Sequence, residues 1–157
     1  EIMVQAAKHK GTSIMEMLVN CVIFNDGTHQ EFAERSVRAD RTIVLKHGEK
    51  MIFGKDKDKG IALDYTQGVI PQLIVVGADD ERVLVHDATQ KDSTLHRMLA
   101  MMGAEGDTTL PIALGVIRNV EEDSYDSAVN QQINQVRQQS KATTFDQLTA
   151  TLEQWEI

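Results

Sequence analysis

"SIMEMLVNCVIF", residues 13–24, is apolar almost throughout, with Glu16 and Asn20 as interruptions. Gly11 bounds it on one side and Asp26-Gly27 on the other. Twelve residues of this kind suit a strand covered on both faces, as in the central strands of α/β proteins. A helix of the same length competes locally, because Met and Leu favour it. The choice decides the fold class, and the flanking punctuation favours the strand.

Working outward, Ile2 to Lys10 reads as a helix end, with Ile2, Met3, Ala6 and Ala7 able to share a face before Gly11. Residues 28–41 are polar and suggest a loop with a short helix. Thr42–Leu45, Met51–Phe53, Ile61–Leu63, Gln72–Val76 and Val83–Val85 are short strand candidates. Asp92 or Ser93 can cap a helix in which Leu95, Met98, Leu99 and Met102 follow helical spacing, ended by Gly103 and Gly106. "LPIALGVIR", 110–118, is a second buried strand. Ser124 then caps a helix with Val129, Ile133 and Val136 on one side. Thr144 and Gln147 match a capping box before a last helix that ends near Trp155. The expected class is α/β, a mixed sheet with flanking helices, plus a C-terminal extension.

Composition removes several function classes. With 157 residues, 41% of them hydrophobic, the chain can build a core without staples. Its single cysteine excludes an internal disulfide and suits a reducing cytoplasm. No apolar run approaches the roughly 18 residues of a membrane span. The net charge of −8 and the scattered basic residues provide no clustered face for nucleic acid.

Chemistry is harder to find. Cys21, at the end of the apolar run, reads as core filler, as a nucleophile or as one ligand of a metal centre. Free cysteines are usually buried. "VNCVIFN" supplies no adjacent base or cation for a catalytic thiolate. An iron–sulfur cluster would need companion thiolates from other sequence. The five histidines lack metal-ligand spacing. His86 and Asp87 in "VLVHDAT" point to opposite faces if the segment is a strand, so they are not expected to act together. "EEDSYD", 121–126, precedes a helix and suits its positive end better than a metal. "GKDKDKG", 54–60, reads as a solvated loop whose Lys55, Lys57 and Lys59 are offset by its own aspartates. No GxGxxG or GxxxxGK[ST] occurs.

Four segments in order carry a resemblance: "AAKHKGTSIMEMLVNCVIFNDG" (6–27), "GKDKDKGIALD" (54–64), "VLVHDAT" (83–89) and "LPIALGVIRNVEEDSYD" (110–126). Together they resemble the C-terminal half of the beta subunit of 2-oxoacid:ferredoxin oxidoreductases, most nearly the 2-oxoglutarate type. The terminal "QWEI" looks like the natural end of such a polypeptide, so a truncation at the N-terminus is expected. The resemblance implies a partial thiamine-diphosphate-enzyme-like domain. Residues 1–39 would be the remnant of the cofactor-binding domain and 40–157 the C-terminal region of the beta subunit, as one compact unit. It implies thiamine diphosphate, Mg2+ and a [4Fe–4S] cluster in the full subunit. It also implies oxidative decarboxylation of a 2-oxoacid to an acyl-coenzyme A, with electrons passed to ferredoxin and an alpha subunit as partner.

Cys21 matches the family's fourth cluster cysteine, although Asn20 stands where the family often has Pro. The family's GDG diphosphate motif has no equivalent, since Asn25-Asp26-Gly27 lacks its first glycine. The chain alone is therefore expected to bind neither cofactor, to catalyse nothing, and to self-associate through exposed Met and Ile. A non-enzymatic protein-interaction domain, using "GKDKDKG" and the Gln-rich helix, is the rival reading.

Overall fold

A computed structural model describes residues 1–66, 68–103, 108–140 and 144–150. The fold is mixed α/β, with one parallel and one antiparallel sheet. Two compact units are present, one formed by residues 1–9 and 13–121, the other by 10–12 and 122–157.

The first unit opens with α1 (Ile2–Lys8), whose chain turns extended at His9. Residues 28–41 form two helical turns, α2 (Gln30–Ala33) and α3 (Arg38–Arg41). Strand β1 (Thr42–Leu45) then pairs in parallel with β5 (Ile112–Gly115), from Thr42 opposite Ile112 to Leu45 opposite Gly115. Gly115 adopts φ +101, and a Cβ there would lie 2.6 Å from the Leu45 carbonyl oxygen. The close approach of the two strand ends therefore requires glycine.

Between these strands lies the antiparallel sheet of β2 (Ile52–Phe53), β3 (Lys59–Asp64) and β4 (Gln72–Gly77), in that order. Ile61 and Ala62 in the central strand are wholly buried. Gly60 is small because Val83 needs the space; a Cβ there would meet the valine at 2.5 Å.

Val83–Val85 is not a regular strand, yet its backbone is well used. Leu84 N–H donates to the Ile61 carbonyl at 2.9 Å, and the Leu84 carbonyl accepts from Met51 N–H at 2.8 Å. The segment is threaded between two neighbours, which satisfies its polar backbone without a continuous ladder.

Helix α4 (Thr94–Ala100) starts at Ser93, and the Asp92 carboxylate accepts from Thr94 N–H at 2.8 Å. It buries Leu99 and His96. Leu99 and Met102 join Ile43, Leu45, Met51, Phe53 and Ile61 in one apolar core. Gly103 follows with φ +66, whereas Gly106 lies outside the described residues.

The second unit contains α5 (Tyr125–Gln139) and α6 (Phe145–Thr149). No residue of either helix is buried. Thr144 accepts from Gln147 N–H at 3.3 Å, which is half of the expected capping box. The end of this helix near Trp155 falls outside the described residues.

A larger expectation also fails. Residues 13–24 form neither strand nor helix; they run as open chain, ending in a turn with an isolated bridge between Cys21 and Asn25. Ile14 is 94% exposed and Phe24 90%. A strand apolar on both faces needs a neighbour at its edges and a layer over each face. The described residues provide none of these.

Candidate functional site

The turn after the apolar run is built by short polar side chains. Asn20 bridges it, donating from Nδ2 to Asp26 Oδ1 at 2.9 Å and accepting from Gly27 N–H at 3.0 Å. Asn25 N–H closes the ring on the Cys21 carbonyl at 2.9 Å, and Asn25 Nδ2 donates to Thr28 Oγ1 at 2.6 Å. Gln30 N–H then donates to the Gly27 carbonyl at 3.0 Å and starts α2. Asn, Asp and Gly favour this compact turn because their short side chains compete with regular backbone bonding.

The turn folds its own amides around the thiol. The backbone N–H groups of Phe24, then Ile23, then Asn25 hold the Cys21 pKa below the ordinary thiol value, against an opposing effect of desolvation. No cationic side chain contributes to that shift. Cys21 is exposed among the described residues. What remains is an accessible sulfur, biased toward thiolate by fixed backbone dipoles, without a general base. Metal ligation and nucleophilic attack both require the thiolate form. Among the described residues, no group of three or more His, Cys, Asp or Glu side chains can hold a metal ion.

His86 and Asp87 lie in different surroundings, although their segment is not a regular strand. His86 is 1% exposed, and its Nε2–H donates to the Val116 carbonyl at 2.9 Å. Its Nδ1 is buried without a hydrogen-bond partner among the described residues. Asp87 faces solvent, where hydrogen bonds from Thr89 lower its pKa. His47 Nδ1 lies 3.4 Å from the Asp87 carboxylate and accepts from Ala88 N–H at 3.2 Å.

The structure adds a buried histidine held by an exposed arginine, which no motif announces. His96 donates from Nε2 to the Asp87 carbonyl at 2.8 Å, and Arg118 Nη1 donates to its Nδ1 at 3.0 Å. Its ring stands edge-on to His86, with centroids 6.2 Å apart. His96 lies three residues before the buried Leu99 and shares its helix face, but nothing local names Arg118 as its partner. This cluster joins α4 to the end of β5.

"GKDKDKG" is the β2–β3 hairpin loop, with Lys59 and Gly60 already inside β3. Lys55, Asp56, Lys57 and Asp58 are solvated as expected. Lys59 is not free, because its Nζ sits 2.6 Å from Asp40 Oδ1 and 6.0 Å from the centre of the Phe53 ring. "EEDSYD" places Asp126 in the first turn of α5, where Ser124 bonds its carboxylate and lowers its pKa.

Among the described residues, no helix is long and apolar enough to cross a membrane. No protein-family profile matches the chain, and no solved structure matches it. Over 145 residues, 92% of its length, the chain is 27% identical to 2-oxoglutarate oxidoreductase subunit KorB of Mycobacterium tuberculosis (strain ATCC 25618 / H37Rv). The chain spans 37% of the length of that curated relative.

Proposed function

We propose that this chain is the C-terminal part of the beta subunit of a cytoplasmic 2-oxoacid:ferredoxin oxidoreductase of the 2-oxoglutarate type. The similarity to KorB, spread over nine-tenths of the chain, carries the reading. The mixed α/β fold agrees with it, and residues 1–39 would then belong to the cofactor-binding domain. In the whole enzyme, thiamine diphosphate with Mg2+ and a [4Fe–4S] cluster supply the carbanion and one-electron chemistry. The partners are an alpha subunit, the 2-oxoacid, coenzyme A and ferredoxin.

Cys21 fits one corner of such a cluster. Its sulfur is exposed, and the backbone amides of Phe24, Ile23 and Asn25 hold its pKa below the ordinary thiol value. Those amides favour the thiolate, and hydrogen bonds to sulfur are one of the means by which a protein tunes a cluster's potential. Asn20 and Asp26 hold the turn that aims them. This is the chain's one cysteine, so the remaining ligands come from polypeptide outside it. No residue here is assigned to thiamine diphosphate, and none is assigned a catalytic role.

The complete protein, co-expressed with its alpha subunit, is expected to reduce ferredoxin or a viologen dye when given a 2-oxoacid and coenzyme A. Absence of that reduction in cofactor-loaded enzyme sinks the reading. Cys21→Ser in the same complex is expected to abolish or reshape the low-temperature paramagnetic signal of the reduced cluster. An unaltered signal removes Cys21 from the ligand set.

A further inference from the structure

We infer that the Asp26–Gly27 step is a site of isoaspartate formation and that the Asn20 side chain guards it. The chemistry is intrinsic to the backbone. The Gly27 amide nitrogen attacks the Asp26 side-chain carbon Cγ, one water leaves, and a succinimide ring closes. Water then adds at either carbonyl, which restores aspartate or leaves isoaspartate, with the main chain routed through the side-chain methylene. The reaction takes no oxidant, and water is its only co-reactant.

Asp26–Gly27 is the only Asp-Gly step in the sequence, and no Asn-Gly step occurs. Glycine leaves the attacking nitrogen unshielded. The Asp-Ser steps at 92, 123 and 126 instead put a Cβ beside that nitrogen, and they border α4 or α5. The turn explains why glycine stays. Gly27 has φ +75, and a Cβ there would lie 2.9 Å from Gln30 Cδ, so the turn requires the residue that makes the step reactive. Asp26 is exposed, which opens it to water and to a carboxyl methyltransferase, the class of enzyme that recognises isoaspartate.

Asn20 holds both reacting groups at once. Its Nδ2 donates to Asp26 Oδ1 at 2.9 Å, and its Oδ1 accepts from Gly27 N–H at 3.0 Å. Ring closure swings the carboxyl out of that fork and onto its own following nitrogen, which must leave Oδ1 as well. Both bonds therefore break before the ring forms. Losing them in advance speeds closure by about tenfold, the weight of two ordinary hydrogen bonds in water. The modification also reaches beyond Asp26. Isoaspartate lengthens the main chain by one methylene beside the turn that the Cys21–Asn25 bridge closes, so ageing at residue 26 acts on the surroundings of the thiol. The site depends on the turn alone and not on which reaction the subunit serves.

The test incubates the complete polypeptide encoded by the reading frame at neutral pH and body temperature and follows isoaspartate with time. Carboxyl methylation with labelled S-adenosylmethionine counts it, and electron-transfer fragmentation of the tryptic peptide Gly11–Arg35 locates it. Wild type is expected to accumulate it slowly at residue 26, and Asn20→Ala about tenfold faster. Thr28→Val controls for a loosened turn. It removes the bond from Asn25 at 2.6 Å, leaves both Asn20 bonds, and should age at the wild-type rate. Asp26→Glu should give none, because its ring would need six members and closes far more slowly. Equal rates in wild type and Asn20→Ala overturn the guard, as does equal acceleration by Thr28→Val. No isoaspartate at residue 26 in any sample overturns the site itself.

Discussion

His96 and Arg118 fix each other's roles. The Asp87 carbonyl can only accept, so His96 Nε2 carries the proton and Nδ1 is left as a lone pair, which Arg118 Nη1 meets at 3.0 Å. The same guanidinium donates to the carbonyls of Gln90 at 2.8 Å and Lys91 at 2.9 Å. One side chain thus ties the loop before α4 to the segment after β5. Arg118→Ala is expected to lower stability by about 1–2 kcal/mol, since three hydrogen bonds are lost but water replaces part of them. Arg118→Lys should restore little, because an ammonium cannot span three acceptors from a fixed plane. Chemical denaturation of the three proteins checks both statements.

Gly115→Ala should cost about 2 kcal/mol or more, because the backbone is held at φ +101 and the new methyl meets the Leu45 carbonyl. Gly77→Ala is the control, with nothing within 4 Å of its added Cβ. Equal melting temperatures for the two variants would contradict the close approach of β1 and β5.

Ile61 is fully buried at the centre of the core. Ile61→Ala is expected to destabilise by about 2–5 kcal/mol, the usual range for a cavity of that size. Val44→Ala, on the same fold but 60% exposed, should change little. Urea titration of the two variants separates a packed core from a loose one.

Asp80 takes a bidentate grip from Arg82, at 3.0 Å from Nε and 2.7 Å from Nη2, and its pKa falls to about 2 chiefly through that side-chain bond. Its folded value lies below the unfolded one. Its contribution to stability is therefore complete above about pH 4 and fades as pH falls through the folded value. Carboxyl-resolved NMR titration should show this midpoint, and Arg82→Ala should return it toward the ordinary aspartate range.

Cys21 should alkylate with iodoacetamide at a midpoint pH below that of an unstructured cysteine peptide, because the amides of Phe24, Ile23 and Asn25 favour its thiolate. Asn20→Ala removes the two bonds that its side chain makes across the turn and should shift the midpoint back up. Identical profiles for folded protein and peptide would refute the sulfur's environment.

Much of the fold is legible in the residues because its signals are local. The short β-branched run "TIVL" and the helical spacing of Leu95, Leu99 and Met102 are local signals, and β1 and α4 form where expected. The segment 13–24 misleads for the opposite reason: its apolar pattern suggests burial, but among the described residues nothing covers it. At Lys59, charge alternation hides a strand start, and Asp40, nineteen residues earlier, draws the ammonium into contact. At the candidate site, the lone thiol is visible in the sequence but the amides around its sulfur are not. Those depend on a turn held by Asn20, which reads on paper as a mere interruption.

Thr42–Leu45 waits for a partner some seventy residues downstream, while β3 and β4 find each other across a short connection. A ribosome therefore delivers the hairpin first and the parallel pair last. Until Gly115 emerges, β1 travels with an open edge, so the nascent chain is most exposed to misassembly while the threads for Leu84 and His86 are already being laid.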